Sequence, residues 1–201
     1  ATDDLPASCT PCRQFYADHV CISPAAATAL EQATRSQQTP TWFFARKLRL
    51  TASNINTVPK KADTDCEKAV KSLLCSSFTG NAATRHGQMY EPVARAQFAR
   101  ENGVAISECG MFVSKDMPWL SATPDGIIGE ALLEVKCPNT NDCKEYVKSG
   151  KYDVREVKPK TNPVKYYLAQ KGSSGYYSQV QFQMFCTGKR VCFFYVWSVN
   201  S

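Results

Sequence analysis

Asp125, Glu134 and Lys136 bring two carboxylates and an ammonium into one short stretch, Pro124-Asp125-Gly126 followed by Leu133-Glu134-Val135-Lys136. Pro124 and Gly126 signal a turn, and Ala131 to Lys136 reads as a mostly buried strand. Side chains alternate along a strand, so Glu134 and Lys136 share a face. Two carboxylates at one site repel unless a cation stands between them, and oxygen-only ligands suit Mg2+ or Mn2+. The chemistry this points to is metal-assisted hydrolysis of a phosphodiester. Taken alone, the same residues also read as a surface hairpin with an incidental Glu and Lys, because acid-x-Lys is common in any protein.

At 201 residues the chain is one domain, or one domain with an appendage, and 43% hydrophobic residues are enough for a sizeable core. No apolar run approaches the roughly 20 residues of a transmembrane helix. The start Ala1-Thr2-Asp3-Asp4 lacks the basic-then-apolar pattern of a signal peptide, which a mature fragment would also lack; an intracellular location, nucleus or cytoplasm, is the expectation. The net charge of +6 is uneven: residues 1–41 are net −2 and the remainder +8. Arg46, Lys47, Arg49, Lys60 and Lys61 fall between 42 and 61 with no acid among them, and 144–171 hold eight Lys/Arg against three acids. Two basic segments flanking an acidic centre suit a polyanionic substrate, although charge alone fits a merely basic soluble protein equally well.

Ten cysteines are many for a cytosolic enzyme. Cys137, Cys186 and Cys192 lie in apolar segments, where the thiol behaves as a small hydrophobe. Cys9-x-x-Cys12 with His19 and Cys21 supplies the ligand types of a structural zinc ion. The spacing differs from the common finger patterns, and disulfides among these residues are the alternative.

The elements that must position the chemistry follow from period and caps. Residues 1–41 read as a separate segment, with a helix from Pro24 to Arg35 capped by Ser23. A helix over 42–50 sets Trp42 and Arg46 on one face, and Thr51-Ala52-Ser53-Asn54 caps the next helical turn. An amphipathic helix over 64–79 carries Val70, Leu73, Leu74 and Phe78. Another over 87–102 buries Tyr90, Val93, Ala94 and Phe98, ends at Gly103, and places Pro92 in its first turn with Glu91 near its N-terminus. Strands are expected at 110–114, 119–123, 126–128 and 131–136, a short helix near 141–149, a helix over 174–187 with Tyr177, Val180, Met184 and Phe185 inward, and a closing strand from Arg190 to Trp197. This order gives an α/β or α+β fold, a mixed β-sheet flanked by helices, with the site at the sheet edge.

Four separated segments share one pattern: Trp42-x-x-x-Arg46 with Leu50-Thr51-Ala52-Ser53; Gly87-x-x-Tyr90-Glu91-x-x-Ala94-Arg95; Ser121-x-x-Pro124-Asp125-Gly126 with Leu133-Glu134-Val135-Lys136-Cys137-Pro138; and Tyr176-Tyr177-Ser178-Gln179-Val180-Gln181. In this order they closely resemble the lambda exonuclease / YqaJ viral-recombinase family of PD-(D/E)XK nucleases, over about residues 42–198. The resemblance implies a restriction-endonuclease-like core in a nuclease domain spanning 42–201, with residues 1–41 outside the match.

It further implies metal held by Asp125, Glu134, Glu91 and the carbonyl of Val135, and Mg2+ as the cofactor with Mn2+ substituting. Lys136 would stabilise the attacking water and the developing phosphorane charge, and Gln179 would orient that water or touch Lys136. Arg46 and Ser53 resemble the family's pocket for a terminal 5′-phosphate, with Arg49 beside it and Lys60 and Lys61 farther along the strand. The expected activity is a 5′→3′ exonuclease on double-stranded DNA ends that releases 5′-mononucleotides, assembled as a ring-shaped trimer around DNA. An internally cutting or structure-specific endonuclease, and a non-catalytic DNA-binding recombination module, are the rival readings.

Overall fold

The computed structural model describes residues 9–75, 80–158 and 163–200. Helix α1 (Thr10–Phe15) runs into a π-turn at Tyr16–Val20 and is followed by α2 (Pro24–Ala33), where Ser23 Oγ accepts the Ala26 N–H as the cap. Helix α3 (Pro40–Lys47) is capped by Thr39 and leads through β1 (Leu50–Thr51) into a 3-10 turn, Ala52–Thr57. Helices α4 (Glu67–Leu74) and α5 (Ala82–Asn102) precede the strands. These are β2 (Phe112–Val113), β3 (Leu120–Ala122), β4 (Gly126–Ile128) and β5 (Ala131–Lys136). After them come α6 (Cys143–Lys148), the hairpin β6 (Val154–Glu156) and β7 (Tyr166–Leu168), α7 (Tyr176–Thr187) and β8 (Val191–Val196).

The sheets are mixed. Strand β5 lies between β4, antiparallel, and β8, parallel, with Glu134 opposite Phe194 and Lys136 opposite Val196. A second sheet has the order β1-β3-β2, with β1 and β3 parallel. Alternation along β5 sends Leu133 and Val135 into a core with Ala94, Phe98 and Trp197. The same alternation turns Glu134 and Lys136 to the other face, where α7 lies. A second core joins Ala52, Leu120, Ala122 and Cys186, fixing α7 on the other sheet.

Segment 9–41 is bonded to the rest through buried polar groups. Glu31 accepts the Gly110 N–H at 2.9 Å and Thr34 Oγ1 accepts the Met111 N–H at 2.8 Å. The approach is close enough that a Cβ at Gly110 would meet the Glu31 carbonyl oxygen at 1.9 Å, so only glycine fits.

Three expectations shift. Helix α5 begins at Ala82, capped by Asn81 accepting the Thr84 N–H, so Pro92 lies in the helix interior and Glu91 at mid-helix rather than near its start. Pro92 costs a ladder bond, and the packing of Ala94 and Phe98 carries the helix past it. Val93 is exposed rather than buried. The inward face of α7 is Gln179, Val180, Gln183 and Cys186, while Phe185 is exposed. Its polar lining answers a buried carboxylate, which apolar periodicity does not register. Helix α4 is shorter than expected, with Val70 and Leu74 exposed, and Phe78 lies outside the described residues.

Candidate active site

Strand β5 delivers Glu134 and Lys136, the turn before β4 delivers Asp125, α5 delivers Glu91 and α7 delivers Gln179. The turn is held by the Asp125 N–H donating to Leu133 O at 3.1 Å, and by Arg95 donating to the Asp125 carbonyl at 3.0 Å. Arg95 also lies 3.7 Å from the Glu91 carboxylate, one helical turn away. Asp125 Oδ2 accepts the Val135 N–H at 2.7 Å, which aims the carboxylate along β5.

Glu134 is only 2% exposed. Its Oε1 accepts from Lys136 Nζ and from Gln179 Nε2 at 2.6 Å, and its Oε2 accepts from Gln183 Nε2 at 2.6 Å. An ionised carboxylate offers about four acceptor directions; three donors leave Glu134 one for a guest. Gln179 therefore holds Glu134 and not Lys136.

Glu91, Asp125, Val135 and Lys136 line one cavity of about 640 Å3. Gly87 lies on the same face of α5 as Glu91, and a Cβ there would meet nothing within 4 Å, so its absence widens the opening. The electrostatics are strained toward negative. Burial, Glu134 and Glu91 push the Asp125 carboxyl well above its ordinary value, against Lys136 and the Val135 N–H. Burial also raises Glu91, with Arg95 opposing and Glu134 adding to the rise. Burial would lower Lys136, but Glu134 and Asp125 more than reverse that and keep it an ammonium.

By donor type the cavity fits a hard divalent cation: carboxylates, one backbone carbonyl and surplus negative charge. The carboxylates stand around the wall rather than closed on a point, and among the described residues no three His, Cys, Asp or Glu side chains are grouped to hold an ion as they stand.

The other expected residues divide. Arg46 donates to Ser53 Oγ at 2.9 Å, its guanidinium lies 4.3 Å from the Trp42 ring centroid, and burial lowers its pKa. Trp42 in turn donates to Thr123 Oγ1 at 3.2 Å, tying this pocket to the turn that carries Asp125. Arg49, expected beside it, is instead buried and donates to the carbonyls of Pro118, Ala45 and Val20 at 2.9, 3.2 and 3.0 Å. Each of its guanidinium nitrogens is set on a backbone carbonyl, so it serves as a clamp between three segments. Lys60 and Lys61 are exposed beyond the 3-10 turn and do not line this cavity.

The zinc expectation at Cys9, Cys12, His19 and Cys21 fails on chemistry. Cys9 and Cys12 form a disulfide, Cys21 is a free exposed thiol, and His19 stands against Phe15 with centroids 4.9 Å apart. Paired sulfurs are not thiolate ligands.

Sequence reasoning missed Gln183 and the cavity tyrosines 146 and 152. A Gln four residues beyond Gln179 on one helix face was the available signal for the first; nothing in local pattern marked the tyrosines.

The sequence profile of the YqaJ-like viral recombinase domain matches residues 41–190. Among solved structures, the crystal structure of an alkaline exonuclease, LHK-Exo, from Laribacter hongkongensis is 30% identical, with 81% of this chain and 76% of that chain covered and a TM-score of 0.58. The crystal structure of LHK-Exo in complex with dAMP is likewise 30% identical, with the same 81% and 76% coverage and a TM-score of 0.61. No curated protein matches the chain.

Proposed function

Because the chain belongs to the YqaJ-like viral recombinase domain family, we propose that it is a DNA exonuclease, and more narrowly a Mg2+-dependent enzyme that degrades double-stranded ends 5′→3′ and releases 5′-mononucleotides. The observation that carries this reading is the convergence of Glu91, Asp125 and Lys136 on one cavity with Glu134 clamped behind them.

Asp125, Glu134, Glu91 and the Val135 carbonyl would hold the cation. When bound, the cation lowers the pKa of water and neutralises charge on the phosphodiester. The chain's own residues do the rest. Lys136 holds a permanent positive charge at the cavity wall, where it can donate to a nonbridging phosphate oxygen as negative charge builds there. Gln179 and Gln183 keep Glu134 in one rotamer, so the acceptor direction it offers is fixed before substrate arrives. Arg46 and Ser53, already in register, present a guanidinium and a hydroxyl to the terminal 5′-phosphate. Basic segments on either side would draw in the polyanion.

The ring-shaped trimer and an intracellular setting belong to the same reading. Among the described residues, no helix is long and apolar enough to cross a membrane.

The test is mononucleotide release from linear duplex DNA with Mg2+, comparing 5′-phosphate with 5′-hydroxyl ends and with a covalently closed circle. Preference for the phosphorylated end, an untouched circle, and loss of roughly 10²–10³-fold in Lys136→Ala are expected. Cutting of the circle moves the assignment to an endonuclease; DNA binding without hydrolysis in Mg2+ or Mn2+ moves it to a binding module.

A further inference from the structure

Three tyrosines line the same cavity as Glu91, Asp125 and Lys136, and the hydrolytic chemistry gives none of them a task. Tyr152 and Tyr176 are stacked, with centroids 5.6 Å apart and planes 17° apart. Tyr146 continues the series 6.2 Å from Tyr152 at 47°. The Lys136 ammonium sits 5.0 Å from the Tyr176 centroid, so this aromatic series begins at the cationic end of the site and runs away from it. At its far end Lys151 lies 4.5 Å over the Tyr146 ring, and Lys144, Lys148 and Lys151 are exposed around it.

We propose that Tyr146 and Tyr152 are a stacking platform for a nucleobase of the strand being hydrolysed, with Lys151 and its neighbours on the phosphates that follow; this rests on the nuclease reading above. Interleaved rings and cations are the arrangement by which proteins hold single-stranded nucleic acid. A phosphodiester seated at Lys136 carries its base within reach of the rings.

The choice of tyrosine also fits the task. An enzyme that moves along a strand meets every base in turn. Hydrogen-bond readout would slow it at some of them, whereas every base has a π-face to stack. Burial, with Tyr176 beside it, pushes the Tyr152 hydroxyl up to about 12, so the phenol stays neutral and does not repel phosphate.

The experiment uses duplexes whose 5′-terminal nucleotide carries 2-aminopurine or is abasic, with wild type, Tyr146→Leu, Tyr152→Leu and Tyr152→Phe. Leucine keeps apolar bulk but removes the ring face, and melting curves confirm each variant is folded. Terminal fluorescence is read in EDTA, where no hydrolysis occurs. Wild type and Tyr152→Phe are expected to quench it, and both leucine variants to leave it bright.

In the kinetic arm, the abasic end should cost wild type about tenfold in kcat/KM, and the leucine variants should lose about tenfold on the normal end with little further loss on the abasic one. Folded leucine variants that quench as wild type does, or that keep the full abasic penalty, overturn the platform and leave the rings as packing. Wild type that quenches the terminal base yet releases no nucleotide under any metal overturns the nuclease reading while leaving the platform standing.

Discussion

At the junction of α2 with β2, Glu31 is buried beside Arg35 and the Gly110 N–H; in the cavity, Asp125 is enclosed beside Glu134 and Glu91. Burial pushes both carboxyls up, yet Glu31 ends below its ordinary value because Arg35 and the Gly110 N–H outweigh burial. Asp125 ends well above, because its neighbours carry its own sign of charge. Arg49 repeats the first pattern, each guanidinium nitrogen set on a carbonyl. At the junction the protein satisfies its buried polar groups from its own side chains and backbone. In the cavity it keeps negative charge that only something from outside can balance. Two carboxylates drawn out of water thus distinguish a joint from a receptor by the sign of the charge around them.

The sharpest way to break this contrast is Asp125→Asn. The amide can still accept the Val135 N–H, but the repulsion is gone. Initial-rate assays should show activity down about 10³-fold, from a metal contribution of several kcal/mol. Calorimetry on the metal-free protein should show the melting temperature up by about 2–4 °C for about 1 kcal/mol of relieved strain. A fall in melting temperature would mean the cavity is satisfied internally after all.

Arg49→Lys acts the other way. One ammonium cannot span three carbonyls, and leaving buried acceptors unpaired costs about 1–3 kcal/mol each. Chemical denaturation should show a loss of about 3 kcal/mol, while kcat of the folded fraction and the preference for 5′-phosphate stay unchanged. Loss of that preference would return Arg49 to the phosphate pocket.

The smallest effect is Glu31→Gln, about 1 kcal/mol at neutral pH. A carboxyl lowered in the folded state contributes stability that is in place above its unfolded pKa, about 4.3, and is lost as pH falls through the lower folded value. Wild type and variant melting curves should therefore differ at pH 7 and converge in acid. A constant difference across pH would place the effect in packing rather than charge.

The sequence was most legible where one force acts alone. Strands 126–128 and 131–136 begin and end where alternation and the Pro124/Gly126 turn put them, and Ser23 caps the helix it was expected to cap. It was least legible where tertiary contacts override local rules. Pro92 and Gly87 read as marks of a helix start, but the Asn81 cap and the Phe98 core extend α5 on either side of them. Gln183 was not marked, because apolar periodicity cannot anticipate a buried carboxylate across the interface. Arg49 belongs to a basic cluster in sequence, and only the arrival of Pro118 and Val20, far along the chain, reveals its partners.

Pro92 gives α5 a mechanical character. Having no N–H, it leaves the Gln88 carbonyl without its intrahelical donor, yet the helix continues unbroken from Ala82 to Asn102. Beyond the gap, Ala94 and Phe98 pack with Leu133 and Val135 of β5. Before it, Tyr90 lies against Trp197 and His86 meets the Cys137 carbonyl, while Arg95 reaches back across the gap to Glu91. The span that carries Gly87 and Glu91 along the cavity is thus braced from outside where its own ladder is weakest.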